Sequence, residues 1–421
     1  MDIFSYLLGR KYKDSNTGSG SGANITSNIK IVDNKSSVLS SNHNKLCIVN
    51  DTSDLSLKVV DKIDGGSEEL STLSEVLPQA LYSACCAIYN EYIYIFGGFS
   101  GSYLNTIYEF NCTNRTINAL SVTLPKPSIN ACCATHGDNI YIFGGYYYED
   151  GNKALNTIYK FNCVTKTIET LSATLPLSVS GTCCTVHNDV IYIFGGSLNG
   201  YWNNIYKFNC TTETISKLSV TLPQALAYAC CAPYGDNIYI FGGRNKNYLN
   251  TIYKFNCNNE TTSTLSVTLP QALHSACCAP YGNNIYIFGG NNNGSFLNTI
   301  CKFNCTAETI NALSVTLTQG VNNACCSISG SNIYVFGGNN NSILNTIYKF
   351  SVTFDLTANN VLLYCANSKF NFGLITDQVT IPIKNIYIGD SNNTAQLCNA
   401  YLYDETKSAW VNVNTGEVLT A

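Results

Sequence analysis

Cysteine is the residue type whose number and spacing could do chemistry in this chain, because 21 occur among 421 residues. Twelve of them stand as six adjacent Cys-Cys pairs, from Cys85-Cys86 to Cys325-Cys326. Thiols at this density could bind zinc or form disulfides. No Cys-x-x-Cys motif and no quartet of cysteine and histidine accompanies the pairs, which disfavours zinc. Five further cysteines follow a Phe-Asn step, at Cys112, Cys163, Cys210, Cys257 and Cys305.

Packing explains the adjacent cysteines better than chemistry does. Neighbouring residues on a strand point to opposite faces, so each pair would be divided between two packing layers. A thiol is a small and readily buried apolar group. The odd total and the lack of a secretion signal favour reduced thiols. We therefore expect structural, reduced cysteines, and we expect neither a metal nor another cofactor.

The histidines give equally little sign of catalysis. His136 and His187 occupy one position in consecutive repeats, where other repeats carry tyrosine, as at Tyr89. Exchange with tyrosine predicts a half-buried turn residue rather than a metal ligand. No Gly-x-Ser-x-Gly elbow, phosphate-binding loop or His-Glu-x-x-His motif occurs in the chain. We therefore expect a protein that is not an enzyme.

The element that must position these residues is a sixfold repeat. The segment from Asn284 to Gly290 recurs with small changes and always ends in a double glycine. A period near fifty residues indicates a closed or stacked array, because one unit cannot bury its own apolar faces alone. The sequence predicts an all-β fold, a six-bladed β-propeller of four-stranded antiparallel blades. The double glycines fall at Gly97-Gly98, Gly144-Gly145, Gly195-Gly196, Gly242-Gly243, Gly289-Gly290 and Gly337-Gly338.

One repeat divides into four short strands, here lettered a to d. Strand a contains the cysteine pair, and strand b is the apolar run before the double glycine, as in Ile285 to Phe288. Strand c precedes the Phe-Asn-Cys turn, and strand d resembles Thr214 to Leu218. A segment similar to strand d, Leu70 to Ser74, comes before the first cysteine pair. We expect it to complete the sixth blade and so close the ring without an exposed sheet edge.

The repeats leave an extension at each end. Residues 1–66 form an N-terminal extension with a Gly/Ser linker at Ser15 to Gly22, residues 67–350 the propeller, and residues 351–421 a small C-terminal β domain. A net charge of −4 without a basic stripe disfavours nucleic acid. The apolar runs are too short for membrane insertion. Without a signal peptide at Met1 to Arg10, we expect a cytoplasmic protein.

These repeats resemble the kelch repeat, in which an apolar strand ends in Gly-Gly and an aromatic strand follows a variable loop. Kelch repeats usually end strand c with a Tyr-Asp-Pro-like turn, whose place is taken here by Phe-Asn-Cys, as at Phe208 to Cys210. They also usually carry a packing tryptophan on strand d. The residues at that position here are Ile117, Ile168, Ile215, Thr262 and Ile310. The resemblance covers about two thirds of the chain and implies a divergent kelch-type propeller.

The variable loops are the best candidates for a functional surface. An up-and-down meander places the loops between strands d and a, and between strands b and c, on one face of the propeller. These loops vary while the strands are nearly copied, as in a scaffold that displays a recognition surface. Tyrosine, tryptophan and arginine suit contacts with a protein or a glycan. The predicted contact residues are Tyr82, Tyr103, Tyr147, Tyr201, Trp202, Tyr228, Arg244, Tyr248 and His274.

Three functions follow from this reasoning, in order of preference. The first is a recognition module without catalysis that binds a protein or glycan. The second is a virion protein, since the layout of linker, repeat domain and terminal β domain resembles bacteriophage tail or receptor-binding proteins; it implies location in a virion. The third is an enzyme similar to the sugar mutarotases among kelch propellers. Neutral drift of unconstrained loops is the alternative to any recognition surface.

Overall fold

The structure is a computed structural model that describes residues 66–354, except 149–151, and short strands outside that range. Side chains are described for residues 68–352, apart from 149–153. The chain divides into two compact units, Glu68–Val352 and a second unit made of Met1–Ser67 with Thr353–Ala421. The predicted Gly/Ser linker lies outside the described residues.

Unit Glu68–Val352 is a ring of six four-stranded antiparallel sheets, so the predicted six-bladed propeller is confirmed. Strand a spans Cys85–Tyr89, Cys132–His136, Cys183–His187, Cys230–Tyr234, Cys277–Tyr281 and Cys325–Ser329. Strand b spans Tyr92–Phe96, Asn139–Phe143, Val190–Phe194, Asn237–Phe241, Asn284–Phe288 and Asn332–Phe336. Strand c spans Thr106–Asn111, Thr157–Asn162, Asn204–Asn209, Ile252–Asn256, Thr299–Asn304 and Thr346–Phe354. Strand d spans Ile117–Thr123, Thr167–Thr174, Thr214–Thr221, Thr261–Thr264, Thr309–Thr316 and, in blade 6, Gly66–Val76.

The ring closes with a strand from the start of the repeats, as the sequence predicts. Gly66–Val76 is the fourth strand of the sheet that holds strands a, b and c of blade 6. The hydroxyl of Ser71 donates to the carbonyl of Lys349 at 3.3 Å, and the amide of Leu77 donates to Asn345 at 2.8 Å. Because this strand covers the outer edge of strand c, blade 6 has the same four strands as the other blades.

Six apolar cores hold the ring together, one between each pair of neighbouring blades. Strand b is buried along almost its whole length, as expected for a sheet packed between two others. In the core between blades 1 and 2, the ring centroid of Phe161 lies 5.1 Å from that of Tyr94 and 5.6 Å from that of Phe96. Tilted and edge-on contacts of this kind recur around the ring and favour a fixed angle between blades.

Two sequence features that recur in the repeats, the double glycine and the asparagine at the end of strand c, are explained by the backbone. Gly144 has a φ of +62°, and a Cβ atom there would lie 2.5 Å from the carbonyl oxygen of Val179 in the next loop. The double glycine is therefore needed for close approach as well as for positive φ. At the end of strand c, the side-chain oxygen of Asn209 accepts hydrogen bonds from the amides of Thr211 and Thr212. This asparagine turn explains the Phe-Asn-Cys step.

The second unit contains two sheets whose strands come from both ends of the chain. Leu46–Asn50 pairs with Phe370–Leu374, and Leu57–Lys58 pairs with Val361–Cys365, both antiparallel. Sequence reasoning treated the two ends as separate segments, because strand pairing over more than 300 residues leaves no local pattern. The remaining strands of the two sheets are Ile29–Val32, Ile386–Gly389, Ala395–Leu397, Asn399–Asp404, Ala409–Asn412 and Val418–Leu419.

Candidate functional site

One face of the propeller is built by the loops that follow strands d and b, which are residues 77–84 and 97–105 in blade 1 and their equivalents in the other blades. We call it the loop face. At its centre, six loop residues form a closed ring of backbone hydrogen bonds, one across each junction, with N···O distances of 2.7 to 2.9 Å. The amide of Asn130 donates to Ser83, for example, and the amide of Ser83 donates to Asn323. The six residues are Ser83, Asn130, Gly181, Tyr228, Ser275 and Asn323.

All six residues of this hydrogen-bonded ring adopt a positive φ, between +53° and +64°. Glycine and asparagine tolerate that region well, whereas a bulky residue rarely occupies it. Tyr228 does so with a φ of +59°, and its ring lies against Gly181, where an added Cβ would be 2.8 Å from its Cε1 atom. The ring encloses a cavity of ≈ 90 Å³ at the mouth of the central channel.

The variable loops are anchored to this mouth rather than free. In blade 1, Tyr82 and Phe99 exchange backbone hydrogen bonds of 3.1 and 2.9 Å, and Phe99 forms a bridge to Tyr103. In blade 4, Arg244 bridges Ala227 on one side and Tyr248 on the other. Each d–a loop is bridged in the same way to the residue after the double glycine. The loop face is therefore a rigid display of side chains.

Two of the predicted contact residues meet in an aromatic row across blades 1 and 2. Ring centroids are 5.5 Å apart for Tyr82 and Phe99, 5.2 Å for Phe99 and Tyr103, and 6.2 Å for Tyr103 and Tyr146. All four rings are half-buried, which leaves part of each ring exposed. Together they form a continuous aromatic surface that could stack against a partner.

Four more predicted residues meet in blades 4 and 5. The ring of His274 stacks on Tyr248 with centroids 5.2 Å apart and meets Tyr228 edge-on at 6.2 Å. The guanidinium carbon of Arg244 lies 5.7 Å from the centroid of the Tyr248 ring, a cation–π distance. Burial and, to a smaller extent, the nearby Arg244 charge lower the pKa of His274 to about 4. His274 is therefore neutral at neutral pH and contributes a flat aromatic surface.

The other three predicted residues do not join these groups. Tyr147 is only 5% exposed, because it points to the buried side of the strand Tyr146–Tyr148. The amino group of Lys126 lies 5.6 Å from the centroid of its ring. Trp202 packs against the core between blades 2 and 3, where five other blades carry a leucine such as Leu104. Tyr201 is half-buried in blade 3 and bridges Ser197.

Sequence reasoning left four aromatic residues of the loop face out of the predicted contact set, one of which is the half-buried Phe296 of blade 5. Phe99 and Tyr146 follow the double glycine and extend the aromatic row, while Tyr148 is 61% exposed. The position directly after Gly-Gly could have pointed to Phe99 and Tyr146, because it varies between the repeats although the two glycines before it do not. Its residues are Phe99, Tyr146, Ser197, Arg244, Asn291 and Asn339.

The loop face carries charge of one sign among its described side chains. Lys126, Arg244 and Lys246 belong to the d–a and b–c loops, and no described aspartate or glutamate does. The charge is sparse, so aromatic and amide groups dominate the surface. The b–c loop of blade 2 also contains Glu149 and Asp150 in the sequence, so the loops include charges of both signs.

The opposite face contains the two repeated histidines in the structural role that the sequence predicts. The Nε2 atom of His136 lies 2.9 Å from a carboxylate oxygen of Asp189 in the next blade, as the hydroxyl of Tyr89 lies 2.8 Å from Asp138. His187 lies 3.7 Å from Asp236 in the same arrangement. Within the described residues, no three histidine, cysteine or acidic side chains converge as metal ligands would.

The family comparison agrees with the fold. A family model described as the KLHDC2/KLHL20/DRC7 Kelch-repeats domain matches residues 51–225 and 181–356, which together span most of the chain. No curated protein matches the chain. In the described part of the structure, no helix has the length and apolar character needed to cross a membrane. With six Gly-Gly blades closed into one ring and a family match over more than half of its length, the chain belongs to the kelch-repeat family.

Proposed function

We propose that this protein is a non-catalytic recognition module that binds a protein partner through its loop face. The observation that carries the proposal is the combination of a closed hydrogen-bonded mouth with partly exposed aromatic rings and one arginine on bridged loops. Kelch propellers are commonly modules for protein interaction, and the family match supports this class of partner.

Rigidity supports the proposal on thermodynamic grounds. A loop that is already ordered loses little conformational entropy on binding, so more of the contact energy contributes to affinity. The bridges from Tyr82 to Phe99 and from Ala227 to Arg244 fix the loops before a partner arrives. Bulky Tyr228 also keeps a positive φ at the mouth, and strained residues of this kind cluster at functional sites.

The side-chain chemistry also favours recognition. Tyrosine and arginine dominate the energetics of many protein interfaces, because they combine a large apolar surface with a polar end. The aromatic row of blades 1 and 2 and the group around His274 supply two such anchors on one face.

Site-specific photo-crosslinking would test the proposal. A photoreactive phenylalanine analogue replaces Tyr103 or Tyr248 on the loop face, and replaces Val164 on the opposite face as the control. Val164 is a suitable control because it is 62% exposed and lies in the turn after strand c. We expect the two loop-face positions to crosslink to one and the same protein from the native source, and the control position to leave it unlabelled.

Two results would contradict the proposal. Labelling of the same protein from Val164 alone would move the interface to the opposite face. Saturable binding to a glycan array, lost on truncation of Tyr103 or Tyr248 and without any protein crosslink, would make the partner a carbohydrate. The control variant must keep the melting temperature of the wild type in either case.

A further inference from the structure

The cysteine pairs form a second repeated feature, which lies inside the ring. In each core between two blades, the first cysteine of one blade is buried, and the second cysteine of the following blade packs against the same core. Cys85 and Cys133 meet in this way between blades 1 and 2, and Cys325 and Cys86 meet between blades 6 and 1. The adjacent cysteines thus point to opposite junctions, as the sequence predicts.

The two thiols of each junction belong to the same core. Between blades 2 and 3, the hydroxyl of Thr182 donates to the sulfur of Cys132 at 3.3 Å, so this sulfur faces the segment that continues to Cys184. All eighteen cysteines that the structure describes are free thiols. The cysteines that share a core are Cys86 with Cys325, Cys133 with Cys85, Cys184 with Cys132, Cys231 with Cys183, Cys278 with Cys230, and Cys326 with Cys277.

The second cysteine of each pair is more exposed than the first. Ala84 lines the cavity at the channel mouth, and Cys86 follows it by two residues on the same strand. Residues two apart on a strand share a face, so Cys86 lies on the same side of the strand as Ala84. Cys86 is half-buried, whereas Cys85 on the other face is 8% exposed. A small oxidant therefore reaches the second cysteine more readily than the first.

We propose that these six thiol pairs are modification sites, at which a peroxide converts each pair into a disulfide that joins neighbouring blades. A disulfide is neutral, which suits an apolar core. A metal bound by two thiolates would leave charge in the same core and is therefore disfavoured.

The reaction balances with a peroxide as the oxidant. The thiolate of Cys86 attacks one peroxide oxygen, the O–O bond breaks, and a sulfenic acid and hydroxide form; the hydroxide takes up the thiol proton and becomes water. The Cys325 sulfur then attacks the sulfenic sulfur, the S–O bond breaks, and a second water leaves with the Cys325 proton. Sulfur is oxidised and peroxide oxygen is reduced. Burial raises the pKa of Cys86, so the reaction should be slow at neutral pH and faster at alkaline pH.

Complete oxidation would make the propeller a covalently closed ring. Each blade would be linked to both neighbours, including blade 6 to blade 1, where the chain itself supplies closure only through the strand Gly66–Val76. Crosslinks restrict the unfolded chain most when they close long loops, as Cys86 and Cys325 would. The consequence is a propeller whose resistance to unfolding depends on redox conditions.

Disulfide mapping on the full chain tests the proposal. The reduced protein is treated with hydrogen peroxide, excess thiol is blocked, and tryptic peptides are analysed by mass spectrometry without reduction. A lysine or arginine separates each cysteine pair from the next, so peptides from neighbouring blades are linked only by a new disulfide. We expect links between neighbouring pairs, including Cys86 with Cys325, and a melting temperature that rises on oxidation and returns on reduction.

Matched variants make the test specific. Cys86→Ala should abolish the link to Cys325 and leave the other five, while Cys112→Ala, which removes a half-buried thiol of the Phe-Asn-Cys step, should leave all six. Sulfinic or sulfonic acids without any link would overturn the proposal. So would a disulfide within one adjacent pair, links to Cys112, or stoichiometric metal in the reduced protein. If Cys86→Ala fails to fold, the wild-type map alone still decides.

Discussion

His274 shows at the scale of one residue how the loop face tunes a side chain. It is enclosed by the rings of Tyr228 and Tyr248 and lies close to the Arg244 charge, and its Nδ1 atom lies 2.9 Å from the hydroxyl of Ser275. Burial and, to a smaller extent, the Arg244 charge favour the neutral imidazole. The residue thus acts as an aromatic surface on the loop face and not as a cation.

A pH dependence of stability follows from this environment. The pKa of His274 falls from 6.5 in an unfolded chain to about 4 in the folded protein, so the unfolded state binds the proton more readily. The stability contribution is present above pH 6.5 and is lost as the pH falls towards 4. We expect the melting temperature of the wild type to decrease across this interval relative to His274→Asn. Parallel curves for the two proteins would contradict the assignment.

Trp202 shows that the type of a residue can mislead when its position in the repeat is not considered. Its amide donates to the carbonyl of Gly196 at 2.9 Å, as the amide of Leu104 donates to Gly98, so it occupies the leucine position of the repeat. Tryptophan in a variable loop suggests a surface anchor, but alignment with that leucine predicts a packing role. Truncation of Trp202 should therefore lower stability, contrary to the expectation for a loop tip.

At the scale of the elements, the ion pair between blades 1 and 2 has its two charges exchanged relative to the ion pairs of other junctions. In four junctions a lysine of strand c pairs with a glutamate of the next blade, as for Lys207 and Glu260 at 2.7 Å. Between blades 1 and 2 the glutamate is Glu109 on strand c, and the lysine is Lys166 on the neighbour. This junction thus keeps an ion pair of opposite charges although the signs on the two blades are reversed.

This exchange predicts the outcome of a charge swap. Glu109→Lys places two lysines together and should destabilise the protein by about 1 kcal/mol, because the pair is only partly exposed. Glu109→Lys combined with Lys166→Glu restores the arrangement of the other junctions and should recover most of that loss. Chemical denaturation of the three proteins measures the coupling. Additive effects of the two substitutions would show that the pair contributes nothing.

The closing strand of blade 6 can be tested against an internal standard. Leu73 in this strand is 7% exposed, and Leu218 at the matching position of blade 3 is 9% exposed. If both strands are equal parts of the ring, Leu73→Ala and Leu218→Ala should each cost about 2 to 3 kcal/mol, since each removes a buried leucine side chain. Loss of stability in Leu218→Ala alone, measured by denaturant titration, would mean that Gly66–Val76 does not close the propeller.

The strands were predictable because their signals are local and repeated. Apolar alternation, the double glycine and the Phe-Asn-Cys turn each recur in nearly identical form, so errors in one repeat are corrected by the others. The orientation of loop side chains was less predictable. In blade 2 the short hairpin that begins with Tyr146–Tyr148 turns Tyr147 inward and Tyr146 outward. Among the described loops, a similar hairpin occurs in blade 5, at Asn291–Asn292 and Ser295–Phe296. The core that cysteines of neighbouring blades share depends on the closed ring and has no sequence signal of its own.

For the whole molecule, the ring explains how nearly identical blades can present one specific surface. Six inter-blade cores and the ring of mouth hydrogen bonds hold the strands in fixed positions, while substitutions between blades are concentrated in the loops. Aromatic residues dominate blades 1 and 2, the group around His274 spans blades 4 and 5, and asparagines dominate blade 6. The symmetry of the scaffold is thus broken on the loop face, which is the condition for orienting one partner.

The dissociation constant of the partner identified by crosslinking tests this account most directly. Tyr103→Ala and Arg244→Ala should each weaken binding at least about tenfold, equivalent to about 1.4 kcal/mol, with little change in melting temperature. Val164→Ala on the opposite face should bind as the wild type does. Unchanged affinity in both loop-face variants, together with weaker binding by Val164→Ala, would contradict recognition through the loop face.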